Sequence, residues 1–119
     1  LTPSPLAKRT EGSLLDGVAV LRAVLTDAPL VPGVYRMLNA KDDILYIGKA
    51  RQLRARLTSY TLPNAMAYRT MRMISQVARV EWTTTATEAE ALILEANLIK
   101  THQPRYNILL RDDKTYPFI

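Results

Sequence analysis

A chain of 119 residues with 48% apolar and 23% charged residues has the composition of one globular domain with its own core, which excludes wholesale disorder. The absence of cysteine and the single histidine exclude disulfides, thiolate metal sites and zinc centres built on several histidines, and fit a reducing, cytoplasmic setting. No apolar run approaches the roughly 20 residues of a membrane span, no signal-peptide pattern opens the chain, and the net charge of +5 is unevenly spread. From Ile44 to Val80 the chain holds Lys49, Arg51, Arg54, Arg56, Arg69, Arg72 and Arg79 and no acidic residue. Such a stretch reads either as a solvated basic face or as a surface for a polyanion, most simply nucleic acid.

Residues 1–28 read as a leader followed by a helix, and residues 29–119 as the main domain. The leader Leu1 to Gly12 carries two prolines and mixed charges. Ser13 can cap a helix in which Leu14, Val18, Leu21 and Leu25 recur at helical spacing, running to about Asp27 and stopping before Pro29. Pro32-Gly33 is a turn signal that opens a strand, Val34 to Asn39. The polar loop Ala40 to Asp43 joins it to a second apolar strand, Ile44 to Gly48, as a β-hairpin. If Asn39 faces Ile44, then Met37 faces Tyr46 and Tyr35 faces Gly48, and Tyr35, Tyr46 and Gly48 share one face of the sheet. The glycine then leaves room opposite Tyr35.

An arginine-rich helix is predicted from Arg51 to Tyr60. Leu53, Leu57 and Tyr60 share its apolar face, Arg51 and Arg54 lie away from it as solvated charges, and Arg56 sits on the border one turn before Tyr60. Packing there would position Arg56 as a phosphate ligand must be positioned. Pro63-Asn64 marks a loop, and a helix from Met66 to Val77 is expected to pack through Ala67, Met71, Ile74 and Val77. A third strand, Val80 to Thr84, follows, with Val80, Trp82 and Thr84 on one face. Thr87-Glu88-Ala89-Glu90 is a capping box that starts a helix running from about Glu88 to about Thr101.

Within that last helix Glu95 projects between Ala91 and Ile99, inside the apolar arc rather than with the polar residues Glu90, Asn97 and Lys100. A carboxylate there needs a partner. The structural alternative is a salt bridge, with Arg56 as the candidate; the functional one is a metal ligand or a catalytic carboxylate. His102 at the helix end reads as a cap rather than a ligand. After Pro104 to Asn107, the run Ile108 to Leu110 is expected to be a strand or an extended segment. Arg111 to Lys114 forms a charged loop, and the apolar end Tyr116 to Ile119 reads as a point where the natural chain continues.

Gly33-Val34-Tyr35 and Tyr46-Ile47-Gly48, eleven residues apart from tyrosine to tyrosine, resemble the paired signature of the GIY-YIG nucleases. Five blocks in order resemble the UvrC N-terminal endonuclease family. They are Pro32 to Tyr35, Tyr46 to Ala50, Glu90 to Lys100, Pro104 to Asn107 and Leu110 to Lys114. The likeness spans about Leu30 to Ile119 and leaves the first helix unmatched.

The resemblance implies an α+β fold: a central three-stranded, mostly antiparallel sheet flanked by helices, with an extra N-terminal helix. It implies a DNA endonuclease making the incision on the 3′ side of a lesion in bacterial nucleotide excision repair, with one divalent ion, Mg²⁺ or Mn²⁺. It also implies DNA and a UvrB–DNA pre-incision complex as partners, no membrane, and a monomeric domain. By motif, Tyr46 is the general base or proton relay and Glu95 the sole protein ligand of the metal. Tyr35, Lys49, Arg56 and Tyr60 hold the scissile phosphate, the water or each other, and Asn107 completes the site. Lys49, Arg51, Arg54, Arg56, Arg69 and Arg72 are the expected DNA or phosphate contacts. The tyrosines also have a plainer reading as half-buried sheet aromatics, and Tyr46 can be a base only if a nearby cation favours its ionised form. Two other functions remain open at this level: a different GIY-YIG nuclease, and a silent nucleic-acid-binding module.

Overall fold

The structure, a computed structural model, describes residues 13–110. The leader, the charged loop and the apolar end fall outside the described residues. Strand β1 (Gly33–Leu38) is the centre of one antiparallel sheet, with β2 (Ile44–Ala50) on one side and β3 (Arg79–Thr84) on the other. The expected pairings Tyr35–Gly48 and Met37–Tyr46 are present. The expected pairing of Asn39 with Ile44 is not: Leu38 faces Ile44, and Leu45 is an extra residue on β2. Asn39 is used differently. Its side-chain oxygen accepts from the N–H groups of Lys41 and Asp43, each at 2.9 Å, and closes the loop with Asp42 in the left-handed region at φ 67°.

Both faces of the sheet are covered. Helix α4 (Glu88–His102) lies on the face presenting Val34 and Ile47, packing Ala91, Leu94 and Leu98 against them. On the opposite face, Tyr35, Met37 and Tyr46 join the main core with residues from α1 (Leu14–Leu25), α2 (Leu53–Ser59) and α3 (Tyr68–Ile74). Leu53 and Leu57 are fully buried there, each contributing on the order of 1.5–3 kcal/mol by leaving water. Ser13 caps α1, and Val18 and Leu21 form its inner stripe. Gly17 lets α1 approach the end of α3 closely, because a Cβ at this position would overlap the Ile74 carbonyl.

Two expectations about helices are corrected. Helix α3 begins only at Tyr68, so Ala67 is its exposed N-cap, and Met73 rather than Ala67 points into the core with Ile74 and Val77. The run Ile108 to Leu110 is not extended. Arg105–Leu109 forms a short helix, α5, because Tyr106 and Leu110, four residues apart, bury on one side while Ile108 stays exposed. The three-stranded sheet is antiparallel, in keeping with the expected α+β fold. Helix α4 starts at the expected place, with Thr87 Oγ accepting from the Glu90 N–H at 3.1 Å; the Glu90 carboxylate returns to the N–H of Ala86 rather than of Thr87. It ends at Gln103, which takes the left-handed φ of 48°.

Candidate active site

The hairpin register sets the centre of the site. Because Tyr35 faces Gly48, its ring lies where a Cβ on residue 48 would be, so the glycine's room is filled by the tyrosine itself. Tyr46, two residues earlier on β2, shares that face, with ring centroids 6.2 Å from Tyr35. Helix α2 brings the rest. Tyr60 at its C-cap meets Tyr35 edge-on at 5.9 Å between centroids, and the two hydroxyls are 2.7 Å apart. Arg56, one turn earlier, donates through Nε to the Tyr35 hydroxyl at 3.3 Å and lies 5.2 Å from the Tyr60 ring centre.

On the other side of this group stands Glu95. One carboxylate oxygen, Oε2, accepts the Lys49 backbone N–H at 2.9 Å, tying the middle of α4 to the end of the hairpin. Glu95 is half-buried rather than buried, and the candidate pairing with Arg56 does not occur. Its second oxygen, Oε1, has no protein partner among the described residues. Tyr35, Tyr46, Gly48, Lys49, Ala50, Arg51, Arg56, Leu92 and Glu95 line one open cleft of about 500 Å³.

The basic residues around it are not equivalent. The Lys49 ammonium is held by Glu88 at 3.2 Å, and the same carboxylate pairs with Arg51 Nε at 3.5 Å. Those two cations hold the Glu88 carboxyl below its ordinary range, Lys49 most strongly. Sequence reasoning took Glu88 only as the start of a helix; its signal was that it opens α4 beside the end of the hairpin. Arg54, expected to be a free solvated charge, instead donates through Nε to the Ala28 carbonyl at 2.9 Å and fixes α2 to the segment after α1. Arg69 and Arg72 are exposed on α3 and do not line the cleft.

Asn107 reaches the site through the backbone of β2. Its side chain accepts from the Ile47 N–H and donates to the Ile47 carbonyl, both at 2.8 Å. The amide acts as a single rung added to the outer edge of β2, and it clamps α5 against the residue between Tyr46 and Gly48.

Protonation follows from burial. Tyr46 is held well above the ordinary tyrosine range, first by loss of solvent and then by Tyr60, with Arg56 acting in the opposite direction. Burial likewise pushes Tyr35 up, reinforced by Tyr60 and Tyr46 and again opposed by Arg56. Of the cations that could favour an ionised Tyr46 (Lys49, Arg56 or a bound metal), Arg56 is outweighed by desolvation, and the Lys49 ammonium is held by Glu88.

The sequence pattern of the UvrC-like GIY-YIG domain matches residues 31–108, which include every residue of this cleft. The chain belongs to that family. Relatives at the whole-protein level include the UvrABC system protein C of Paramagnetospirillum magneticum, 56% identical over 106 residues covering 89% of this chain. That of Rhodopseudomonas palustris is 52% identical over 113 residues, covering 95%. The matched stretch makes up only 17% and 16% of those two proteins. The crystal structure of the GIY-YIG N-terminal endonuclease domain of Thermotoga maritima UvrC, bound to its catalytic magnesium, superposes with a TM-score of 0.65 at 41% identity. It covers 72% of this chain and 93% of its own. The family match begins after α1, whereas whole-protein relatives align over up to 100% of this chain.

The residues present suit a divalent cation. Magnesium takes oxygen ligands and keeps several waters, so it does not need a cage of carboxylates. No group of three or more His, Cys, Asp or Glu side chains that could hold a metal occurs among the described residues. Glu95 nonetheless offers one anionic oxygen that no group among the described residues claims, beside a cleft open to solvent.

Proposed function

We propose that this chain is a magnesium-dependent DNA endonuclease domain that makes the 3′-side incision of nucleotide excision repair. The observation that carries the reading is the pairing, in one cleft, of a carboxylate with an uncommitted oxygen and a Tyr35–Tyr46–Tyr60–Arg56 cluster. Glu95 Oε1 would hold the cation, while Oε2 keeps the carboxylate fixed to the hairpin. The Thermotoga domain supports this division of labour. It still carries its cation when single tyrosines are replaced by phenylalanine or an asparagine by alanine.

Bound at Glu95, the cation supplies Lewis-acid polarisation of a phosphate oxygen and eases charge on the leaving oxygen. The chain's own groups do the rest. Arg56, whose positive charge is reinforced first by Tyr35, faces the nonbridging oxygens, where charge grows as water adds to phosphorus. Lys49 and Arg51 reach the same cleft once the phosphate competes with Glu88 for them. The water oxygen forms the new bond to phosphorus as one ester bond breaks, and its proton leaves through the Tyr46 hydroxyl. Tyr46 is protonated at rest, so it would take that proton while passing its own to Tyr60, which in turn releases one to solvent in the hollow both line, and the leaving oxygen takes a proton from water. This makes it a relay rather than a stored base, the second of the two roles expected from its motif. Asn107 is a positioning residue that keeps Ile47, and so Tyr46, in place.

As part of a protein of the UvrABC system protein C kind, the domain would receive its strand from a UvrB–DNA complex in the cytoplasm. The test is strand scission on a duplex carrying a pre-existing bend or gap, with Mg²⁺ added and then chelated. Scission should appear with the cation and stop without it. Tyr46→Phe should lose at least 100-fold in cutting rate while keeping DNA affinity, because it removes one hydroxyl and no charge. Cutting by Tyr46→Phe at the parent rate would remove Tyr46 from the proton path.

A further inference from the structure

The arginines of this chain divide by what faces them. Arg36 and Arg79 pair with Glu81, Arg79 also with Asp42, and Arg51 with Glu88. Arg69, Arg72 and Arg105 are exposed and have no carboxylate partner among the described residues. All three surround one shallow hollow of about 220 Å³, with Tyr68, Tyr106 and Leu109 completing its lining.

These side chains are held rather than loose. Arg69 donates to the Leu109 carbonyl at 2.9 Å, Arg72 lies 3.5 Å from the Tyr68 hydroxyl, and Arg105 lies 5.7 Å from the Tyr106 ring centre. Tyr68 keeps 68% of its surface open to solvent in the middle of this positive group.

A second hollow of about 320 Å³ is lined by Tyr46, Arg56 and Tyr60 on one side and by Met66, Ala67 and Thr70 on the other. It shares Tyr46 and Arg56 with the Glu95 cleft and reaches α3 at Ala67 and Thr70. Helix α3 therefore stands between the cleft side and a hollow in which, among the described residues, three arginines without a carboxylate partner surround an exposed tyrosine. An exposed aromatic among unneutralised arginines is the chemistry that binds single strands: the ring stacks a base and the arginines take phosphates. An acidic peptide would use the arginines but would have no need of the ring.

We propose that the nucleic-acid strand flanking the scissile phosphate runs along α3 and is held there by Tyr68, which stacks a base, and by Arg69, Arg72 and Arg105 on its phosphates. The site rests on the nuclease reading for its place beside the cleft, but its binding chemistry is separately measurable. The probe is a fluorescein-labelled single-stranded oligonucleotide in chelator, followed by anisotropy over a range of salt. Tyr68→Ala should weaken binding about tenfold, the scale of one lost base stack. Arg72→Gln with Arg105→Gln should flatten the slope of log affinity against log salt by about 1.4, the loss of two phosphate contacts on a single strand. Lys41→Gln with Arg79→Gln removes the same charge at the far end of the sheet and should leave both affinity and slope as in the parent. Thermal melts of each variant matching the parent establish that the fold is kept.

Parent-like binding by Tyr68→Ala, or equal losses in the two double variants, would overturn the proposal; in the latter case net charge alone attracts the strand. Tighter binding of polyglutamate than of the oligonucleotide would overturn it in favour of an acidic protein partner. A chain that binds through Tyr68 yet never cuts would count against the nuclease reading alone. One that cuts but binds without Tyr68 would count against this surface alone.

Discussion

Replacing Glu95 by glutamine separates the two tasks the residue performs. The amide oxygen of glutamine can still accept the Lys49 N–H now bonded to Glu95 Oε2 at 2.9 Å, so the tie between α4 and the hairpin survives as a neutral hydrogen bond. Exchanging a charged acceptor for a neutral one at a half-exposed site costs about 1 kcal/mol or less, equivalent to a fall in Tm of about 4–8 °C for a domain of this size. The fold therefore remains. What disappears is the one carboxylate among the described residues of the cleft lining, and with it the cation. Losing about 3–4 kcal/mol of transition-state charge stabilisation lowers the rate by roughly 100- to 1000-fold. Two assays read this. Calorimetric titration with Mg²⁺ should show binding to the parent and none to Glu95→Gln, and scission of supercoiled plasmid should fall by at least two orders of magnitude. A Glu95→Gln chain that melts near the parent and cuts as fast would refute the assignment. A chain that unfolds outright would instead refute the view that Oε2 is replaceable.

Glu88→Gln should release Lys49 and Arg51 for a phosphate, so DNA binding in chelator should tighten and its salt slope steepen by up to about 1.8 on a duplex, two contacts' worth; unchanged affinity would mean that Glu88 does not restrain them. Asn107→Ala leaves the Ile47 N–H and C=O without their 2.8 Å partners and should cost about 1–3 kcal/mol, read as a lower urea midpoint. Tyr35 and Tyr46 bind their protons more tightly folded than unfolded, since burial raises both. Their contribution is complete below the unfolded value of about 10 and is lost as pH rises toward their folded values, by up to about 1.4 kcal/mol per pH unit for each. Urea midpoints measured from pH 8 to 11 should drop beyond about pH 10, and less steeply in Tyr35→Phe; identical slopes would mean that Tyr35 does not titrate with unfolding.

Much of the architecture was legible because it is written locally. Ser13 and Thr87 are side-chain caps whose hydrogen bonds lie within four residues, and both helices begin where those caps stand. The alternation along Val34 to Met37 and the glycine at 48 determine which tyrosines share a face, and the pairing of Tyr35 with Gly48 follows from them. Errors came where a local pattern had two solutions. Ile108 to Leu110 is apolar enough for a strand, and only the partners awaiting Tyr106 and Leu110 select a helix. Asn39 could continue β1 or close its loop, and two N–H groups in the loop decided for closure.

The sequence by itself determined the identities that chemistry requires: three tyrosines, one arginine at helical distance from the last of them, and a carboxylate set against the apolar arc of its own helix. These depend on spacing along one or two elements, which periodicity reveals. Only the tertiary structure decided what each group is free to do. Glu95 meets a backbone N–H from a strand 46 residues away and retains an unclaimed oxygen. Lys49 is restrained by Glu88, Arg54 is tied to Ala28, and Asn107 serves the backbone of Ile47. Burial outweighs the Arg56 charge in setting the protonation of Tyr46. Availability for catalysis is a difference between competing partners, and those partners are brought together only by the fold.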